Sequence, residues 1–229
     1  TLGGTPLANG SLRLGEIGQI SALEGFAEGK WWVQDAAAAW PAATLAVTPG
    51  ETVLEVCAAP GGKTMQMAAQ GGVITALDIS ASRMERVAEN LARTQLAAEL
   101  VVANILEWQD PQQFDAVLLD APCSATGTIR RHPDLPFAKD GTGISELIEI
   151  QKQMLNVTAG RVKPGGKLVF CTCSLIPDEG EVQAENFLRS HKDFTVDTGL
   201  PQAMDPAWRT EEGGFRLRPD YWSELGGMD

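Results

Sequence analysis

Thr52-Val-Leu-Glu-Val-Cys-Ala-Ala-Pro-Gly-Gly-Lys-Thr64 decides the fold. Its first half is a short apolar run, bounded by Pro49-Gly50 before and Pro60-Gly61-Gly62 after, and reads as a buried strand. Its second half is a turn of small residues running into a helix from Lys63 to Gln70. Small residues let backbone approach a ligand closely, and a helix start offers unpaired N–H groups. Gly62-Lys63-Thr64 imitates the end of a phosphate-binding P-loop, but that motif needs glycine at the position of Cys57, so the nucleoside triphosphate reading fails. The turn is not G-x-G-x-x-G either, which leaves a dinucleotide poorly supported.

Outward from this stretch the same rhythm repeats. Strands are expected at Gly72–Leu77, Glu99–Ala103, Phe114–Leu119 and Lys167–Thr172. Helices are expected at Ser82–Gln95, with Met84, Val87, Ala88 and Leu91 on one face, at Ile144–Val162 and at Glu179–Ser190, and Lys163-Pro-Gly-Gly166 reads as a turn. Alternating strands and helices predict an α/β chain with a doubly wound, mostly parallel sheet, whose ligands bind beyond the strands' carboxyl ends. Each unusual cluster falls there: Cys57, Ala58, Ala59, Pro60, Gly61, Gly62 and Lys63 after the first strand, Asp78 after the second, Asn104 after the third, Asp120-Ala-Pro-Cys-Ser124 after the fourth and Thr172-Cys-Ser174 after the fifth. Asp78, 17 residues after Gly61, suits the two hydroxyls of a ribose or, failing that, a helix cap before Ser82. Residues 1–30 read as irregular with a short hairpin, and the alanine-rich stretch 36–47 as a helix despite Pro41. Residues 1–48 form an expected extension on a main domain of residues 49–229, in which Trp208, Phe215, Tyr221 and Trp222 anchor a loop-rich end.

Composition bounds what this chain does. It has 229 residues, 44% of them hydrophobic, enough for a large core. No apolar run reaches membrane-spanning length, and the first residues lack a signal peptide's basic and apolar regions, so a cytoplasmic setting is expected. Four cysteines are too few for a disulfide framework, and their spacing does not suit zinc, so no metal is expected. The net charge of −12 argues against a nucleic-acid partner when taken alone, but residues 175–229 carry −7 of it, with 12 acidic against 5 basic side chains. The remainder holds a basic knot, Arg130-Arg131-His132, with Lys139 nearby. Cys123 and Cys173, on loops after neighbouring strands, are expected to share a cleft, as buried filler or with one as a thiolate nucleophile. Cys171, inside its strand, is the better filler.

Together, Ala59-Pro-Gly-Gly-Lys-Thr64, Asp120-Ala-Pro-Cys-Ser-Ala-Thr-Gly127 and Thr172-Cys-Ser174, in this order and spacing, resemble the RNA cytosine-5 methyltransferases. Gly127-Thr-Ile-Arg-Arg-His-Pro-Asp134 is similar to the RsmB (Sun/Fmu) branch, which modifies bacterial 16S ribosomal RNA. The likeness runs from Trp31 to about Arg189. It implies a Rossmann-like class I methyltransferase fold, with S-adenosyl-L-methionine along residues 57–63, its ribose on Asp78 and its adenine near Asn104, where the family usually has Asp. It also implies Cys173 as nucleophile, Cys123 as the residue that helps release product, and Asp120 between cofactor and base. Lys63 would tune a thiol or position the base, and Arg130, Arg131 and His132 would meet RNA phosphates. The partner expected is RNA, 16S rRNA first, with tRNA or another rRNA site as the alternative substrate, and a monomer is favoured. Two other classes stay open: a non-catalytic RNA-binding assembly factor, against which the presence of both cysteines argues, and a thiol hydrolase, for which no G-x-S/C-x-G elbow is found. That branch carries a helical RNA-binding domain ahead of the catalytic one and a last apolar strand after a Gly-Met-Asp-like segment, so the chain reads as a catalytic-domain fragment ending at Asp229.

Overall fold

The computed structural model describes residues 2–15, 17–138, 140–199, 201 and 204–222; Lys139 and the Gly227-Met228-Asp229 end lie outside them. The chain opens with a small antiparallel pair, β1 (Thr5–Pro6) and β2 (Leu12–Arg13), in which Thr5 sits opposite Arg13. The helix α1 (Ala36–Leu45) starts where Asp35 accepts from the N–H groups of Ala37 (2.7 Å) and Ala38 (3.4 Å). Pro41 lies inside α1, which buries Trp40 and Leu45.

The main unit follows as β3 (Thr52–Val56), α2 (Gly62–Ala69), β4 (Val73–Asp78), α3 (Ala81–Thr94), β5 (Glu99–Val102), β6 (Phe114–Asp120), α4 (Leu135–Ala138), α5 (Ile144–Ala159), β7 (Val162–Cys171) and α6 (Glu181–Ser190). Among the described residues β5-β4-β3-β6-β7 form one sheet in that order, every neighbour parallel. Successive residues of a strand face opposite sides, and the core divides accordingly. Val53, Ala116 and Leu118 pack with Met65, Met67, Val87 and Leu91 on one face. Leu54, Val56, Val117 and Leu119 pack with Met154, Leu155 and Phe187 on the other. A third cluster brings Leu7, Ala36, Ala37 and Trp40 onto Met204 and Trp208, with Phe215, Tyr221 and Trp222 packed against it.

Most boundaries move by one or two residues from the sequence reading, as where the first run reads through Cys57, and two move further. The first strand stops at Val56 because Cys57 takes a left-handed backbone (φ 63°). The helix expected to reach Val162 stops at Ala159, where Gly160 follows. Lys163–Gly166 is not a free turn: β7 already pairs Val162 with Phe114, then resumes with Lys167 opposite Ala116, so the four residues form an irregularity within the strand. A side chain at Gly166 would meet the Asp115 carbonyl oxygen at 2.7 Å.

Candidate active site

The chain leaves β3 toward β4 and β5 on one side and returns through β6 and β7 on the other, so the direction of winding switches between β3 and β6. Ligands of open α/β sheets bind at that point, beyond the strand ends. The register aligns these ends: Val56 lies beside Leu77 and Leu119, and Asp120 beside Cys171. A cavity of about 1030 Å³ opens there, lined among others by Ala59, Gly62, Lys63, Asp120, Cys171 and Cys173.

The glycine turn is built for close approach. Gly61 (φ 97°) precedes α2, and a side chain on it would meet Val87 at 3.1 Å. Asp78, at the end of β4, is buried, and its carboxylate accepts from the N–H groups of Ala59 (3.2 Å) and Ser80 (3.0 Å). Arg83 lies 3.7 Å from the same carboxylate and donates to the Ala59 carbonyl (2.6 Å). Asp78 therefore fastens the turn to β4 and is not among the residues lining the cavity. Asn104 sits just past β5, its side-chain oxygen accepting from Leu106 N–H (3.1 Å). Cys57 is half-buried, and burial, reinforced by the Asp78 and Asp120 carboxylates, pushes its thiol up to about 12. That thiol stays protonated at neutral pH.

Lys63, on the first turn of α2, reaches across to Asp120 at the tip of β6 (2.8 Å). Burial works against the ammonium, but Asp120 outweighs it and holds Lys63 above the ordinary lysine range. Asp120 also faces Cys171, whose Sγ is 3.5 Å from its carboxylate. Sequence reasoning took Cys171 for filler, yet the strand's last residue lines the cavity; burial and then Asp120 raise its thiol well above the usual range. The remaining thiols meet: Cys123 Sγ and Cys173 Sγ stand 3.4 Å apart. Cys173 is exposed and drawn down to about 7, chiefly because the Cys123 thiol can donate to its thiolate; Cys123 is raised correspondingly. Arg130 and Arg131 are exposed and line the same cavity, while His132, also exposed, is not among the lining residues.

Four polar residues to which sequence reasoning gave no role, two of them within the quoted motifs, surround the thiol loops. Glu179 is fully buried and accepts from Ser124 N–H (2.9 Å) and hydroxyl, Ser174 hydroxyl (2.6 Å) and Gln151 amide (3.0 Å). The serines follow Cys123 and Cys173, and that adjacency was the one clue available in the sequence.

A parallel sheet in this order, with its cavity at the switch point, is a Rossmann-like class I methyltransferase fold. A solved structure described as a methyltransferase homolog protein from Pyrococcus horikoshii overlays on 93% of this chain and 70% of its own, with a TM-score of 0.71 and 29% identity. NSun6 from the same organism, solved with SFG, overlays with a TM-score of 0.70 at 27% identity, over 76% of this chain and 46% of its own. By sequence, a ribosomal RNA small subunit methyltransferase B from Shewanella oneidensis is 40% identical over 226 residues, 96% of this chain and 53% of the relative. The profile of the family described as 16S rRNA methyltransferase RsmB/F matches residues 42–219, and the chain belongs to that family. It spans about half the length of the curated relatives it matches. No helix among the described residues is long and apolar enough to cross a membrane.

Proposed function

We propose that this chain transfers a methyl group from S-adenosyl-L-methionine to carbon 5 of a cytosine in RNA, with 16S rRNA as the substrate class, and that Cys173 is the nucleophile. The observation that carries this reading is the Cys123–Cys173 sulfur contact of 3.4 Å, with Cys173 in one cavity with the glycine turn and Asp120. Family membership and the names of the relatives support the substrate, and the SFG-bound neighbour, which holds an analogue of the cofactor, supports S-adenosyl-L-methionine. Residues 1–48 are read as an extension packed on a catalytic unit of residues 49–229, a packing supported by Leu7 and Trp40 lying against Met204 and Trp208.

The residues present fit the cofactor. Ala58, Ala59 and Gly62 give a wall without bulky side chains, and α2 presents its first N–H groups there. Asp78 and Asn104 lie at neighbouring strand tips, where ribose and adenine would be held; a ribose reaching Asp78 takes the place of the Arg83 guanidinium, whose side chain is half-exposed. When bound, the cofactor supplies an electrophilic sulfonium methyl group. Carbon 5 of cytosine is too weak a nucleophile to take that group unaided. The Cys173 thiolate adds to carbon 6, which makes carbon 5 enamine-like. Asp120, next to Lys63, is protonated or hydrogen-bonded at the N3 edge of the base and so stabilises the negative charge that develops there as the thiolate attacks. A base in the cavity takes the carbon-5 proton, its electron pair re-forms the C5–C6 double bond, the C6–S bond breaks and Cys173 leaves as thiolate, with Cys123 assisting this release. The target base leaves its stack to reach the cavity, and Arg130, Arg131 and His132 hold flanking phosphates.

The test is methyl incorporation from labelled cofactor into unmodified 16S RNA, with tRNA as the parallel arm. Cys173→Ala should lower turnover on the order of 10⁴-fold. Cys123→Ala should instead accumulate a covalent protein–RNA adduct, seen as a denaturant-stable band. Normal methylation by Cys173→Ala would sink the nucleophile assignment, and exclusive labelling of tRNA would move the substrate class.

A further inference from the structure

A buried carboxylate costs several kcal/mol unless hydrogen bonds replace the water it gave up. Glu179, in the short turn Pro177–Glu179, is fully buried, and its charge takes no part in the methyl-transfer steps. Burial opposes that charge, but the Ser124, Ser174 and Gln151 donors outweigh it and hold the carboxyl below its ordinary range. The donors come from three segments that are far apart in sequence. Ser124 follows Cys123 on the loop after β6. Ser174 follows Cys173 on the loop after β7. Gln151 comes from the middle of α5 and also donates to the Pro122 carbonyl (2.9 Å), on the other side of Cys123.

Around the carboxylate the two loops are laced together. Ser124 Oγ and Ser174 Oγ are 3.0 Å apart, Thr126 Oγ1 lies 3.2 Å from Ser174 Oγ, and Thr126 accepts from Leu175 N–H (2.9 Å). On the far side Arg216 donates to the Leu175 carbonyl (2.7 Å) and pairs with Glu181. The residue after each thiol is thus tied to one fixed point, while Cys173 lines the cavity and Cys123 touches it from behind through the sulfur contact.

We propose that Glu179 is a positioning residue: by anchoring Ser124 and Ser174 it holds the sulfurs of Cys123 and Cys173 in contact. The proposal rests on the reading of Cys173 as nucleophile only for its effect on turnover. Its effect on the thiols follows from geometry, because a sulfur hydrogen bond at 3.4 Å is lost when either loop shifts by about an ångström. The groups facing Cys173 are Cys123, which favours its thiolate, Asp120, which opposes it, and Lys63, which favours it. Slackening the serine anchors removes the first of these and leaves the other two.

The experiment is the pH profile of iodoacetamide alkylation at Cys173, located by peptide mass, on the whole chain. Glu179→Gln keeps the volume and one acceptor oxygen, but puts a donor where the serine hydroxyls now donate. Its midpoint should rise from about 7, slowing alkylation at pH 7 by about fivefold or more, since below its midpoint a thiol loses thiolate tenfold for every pH unit. In methylation assays kcat should fall while KM for RNA holds. A Glu179 that merely supports the fold would lower the melting temperature of Glu179→Gln without moving the midpoint, and that result overturns the proposal. If Glu179→Gln does not fold, the Ser124→Ala/Ser174→Ala double variant decides: a wild-type profile there also overturns it. Alkylation needs neither RNA nor cofactor. A wild-type chain that never methylates RNA therefore sinks the functional reading alone, and an unmoved midpoint sinks only the role of Glu179.

Discussion

Glu55 stands in the middle of β3 with almost no exposure, accepting from the Thr64 hydroxyl (2.5 Å). Burial raises its carboxyl to about 8, against the pull of Thr64 and Lys63, so the group is largely neutral in the folded protein at pH 7. The sign of the consequence follows from proton counting. Between about 4.5 and 8 the native state keeps a proton that the unfolded chain has already released. Stability from this group is therefore greatest below pH 4.5 and declines as pH rises through that window. Glu55→Gln keeps an acceptor for Thr64 and removes the proton. It should match the wild type near pH 4.5 and exceed it by on the order of 1–3 kcal/mol at pH 8, read from urea midpoints along a pH series. A difference that does not change with pH would show that Glu55 is not the titrating group.

The loops after β6 and β7 meet at a glycine. Gly127, in the short turn Thr126–Arg130, donates its N–H to the Cys173 carbonyl (2.9 Å), and a methyl group added there would lie 2.8 Å from that oxygen. Both sides of the clash are backbone, so the loops after β6 and β7 must part. Gly127→Ala is expected to cost about 1–3 kcal/mol, lowering the melting temperature by about 2–4 °C for each. Alkylation of Cys173 should slow with it; unchanged unfolding and unchanged alkylation would refute the contact. The five strands of the sheet were legible because each is a short, largely apolar run flanked on at least one side by Gly, Pro, Asp or Asn, and because a parallel sheet puts all five carboxyl ends on one edge. That sufficed to place Asp120 and Cys173 in one cavity with the glycine turn, with Cys123 in contact with Cys173 outside its lining. The Glu179 anchor was not legible: its donors are ordinary polar residues with no periodicity, 55 positions away in the case of Ser124, and only the folded loops bring them together. The polarity of Cys171 was hidden for a related reason. Strand alternation assigns a side chain to a face, but at a strand's last residue the face gives way to the cleft.

Net charge gives the wrong sign for an RNA partner if the molecule is treated as a uniform sphere. The chain carries −12, yet Arg13, Lys63, Arg93, Arg130, Arg131 and Arg216 line one cavity together with the carboxylates Asp35, Glu55, Asp120, Glu181 and Glu212, of which Asp120 pairs with Lys63 and Glu181 with Arg216. For the proposed RNA, a phosphate backbone at that opening would meet the exposed Arg130 and Arg131 within a Debye length of about 8 Å, while acidic residues of 175–229 other than Glu181 and Glu212, which line the cavity, are screened wherever they lie further off. The local cations, not the total, should therefore set the ionic part of binding. For single-stranded RNA each neutralised phosphate contributes about −0.7 to the slope of log K against log salt. Arg130→Ala/Arg131→Ala removes two exposed cations from the rim of the cavity. If both meet phosphates, the slope should become shallower by about 1.4, with affinity falling most at low salt and alike across sequences. Fluorescence anisotropy with a labelled 16S fragment at a series of potassium chloride concentrations measures this directly. Equal slopes for the two proteins would move the RNA path away from the loop after β6 and leave Arg13, Arg93 and Arg216 as the side of the cavity to test.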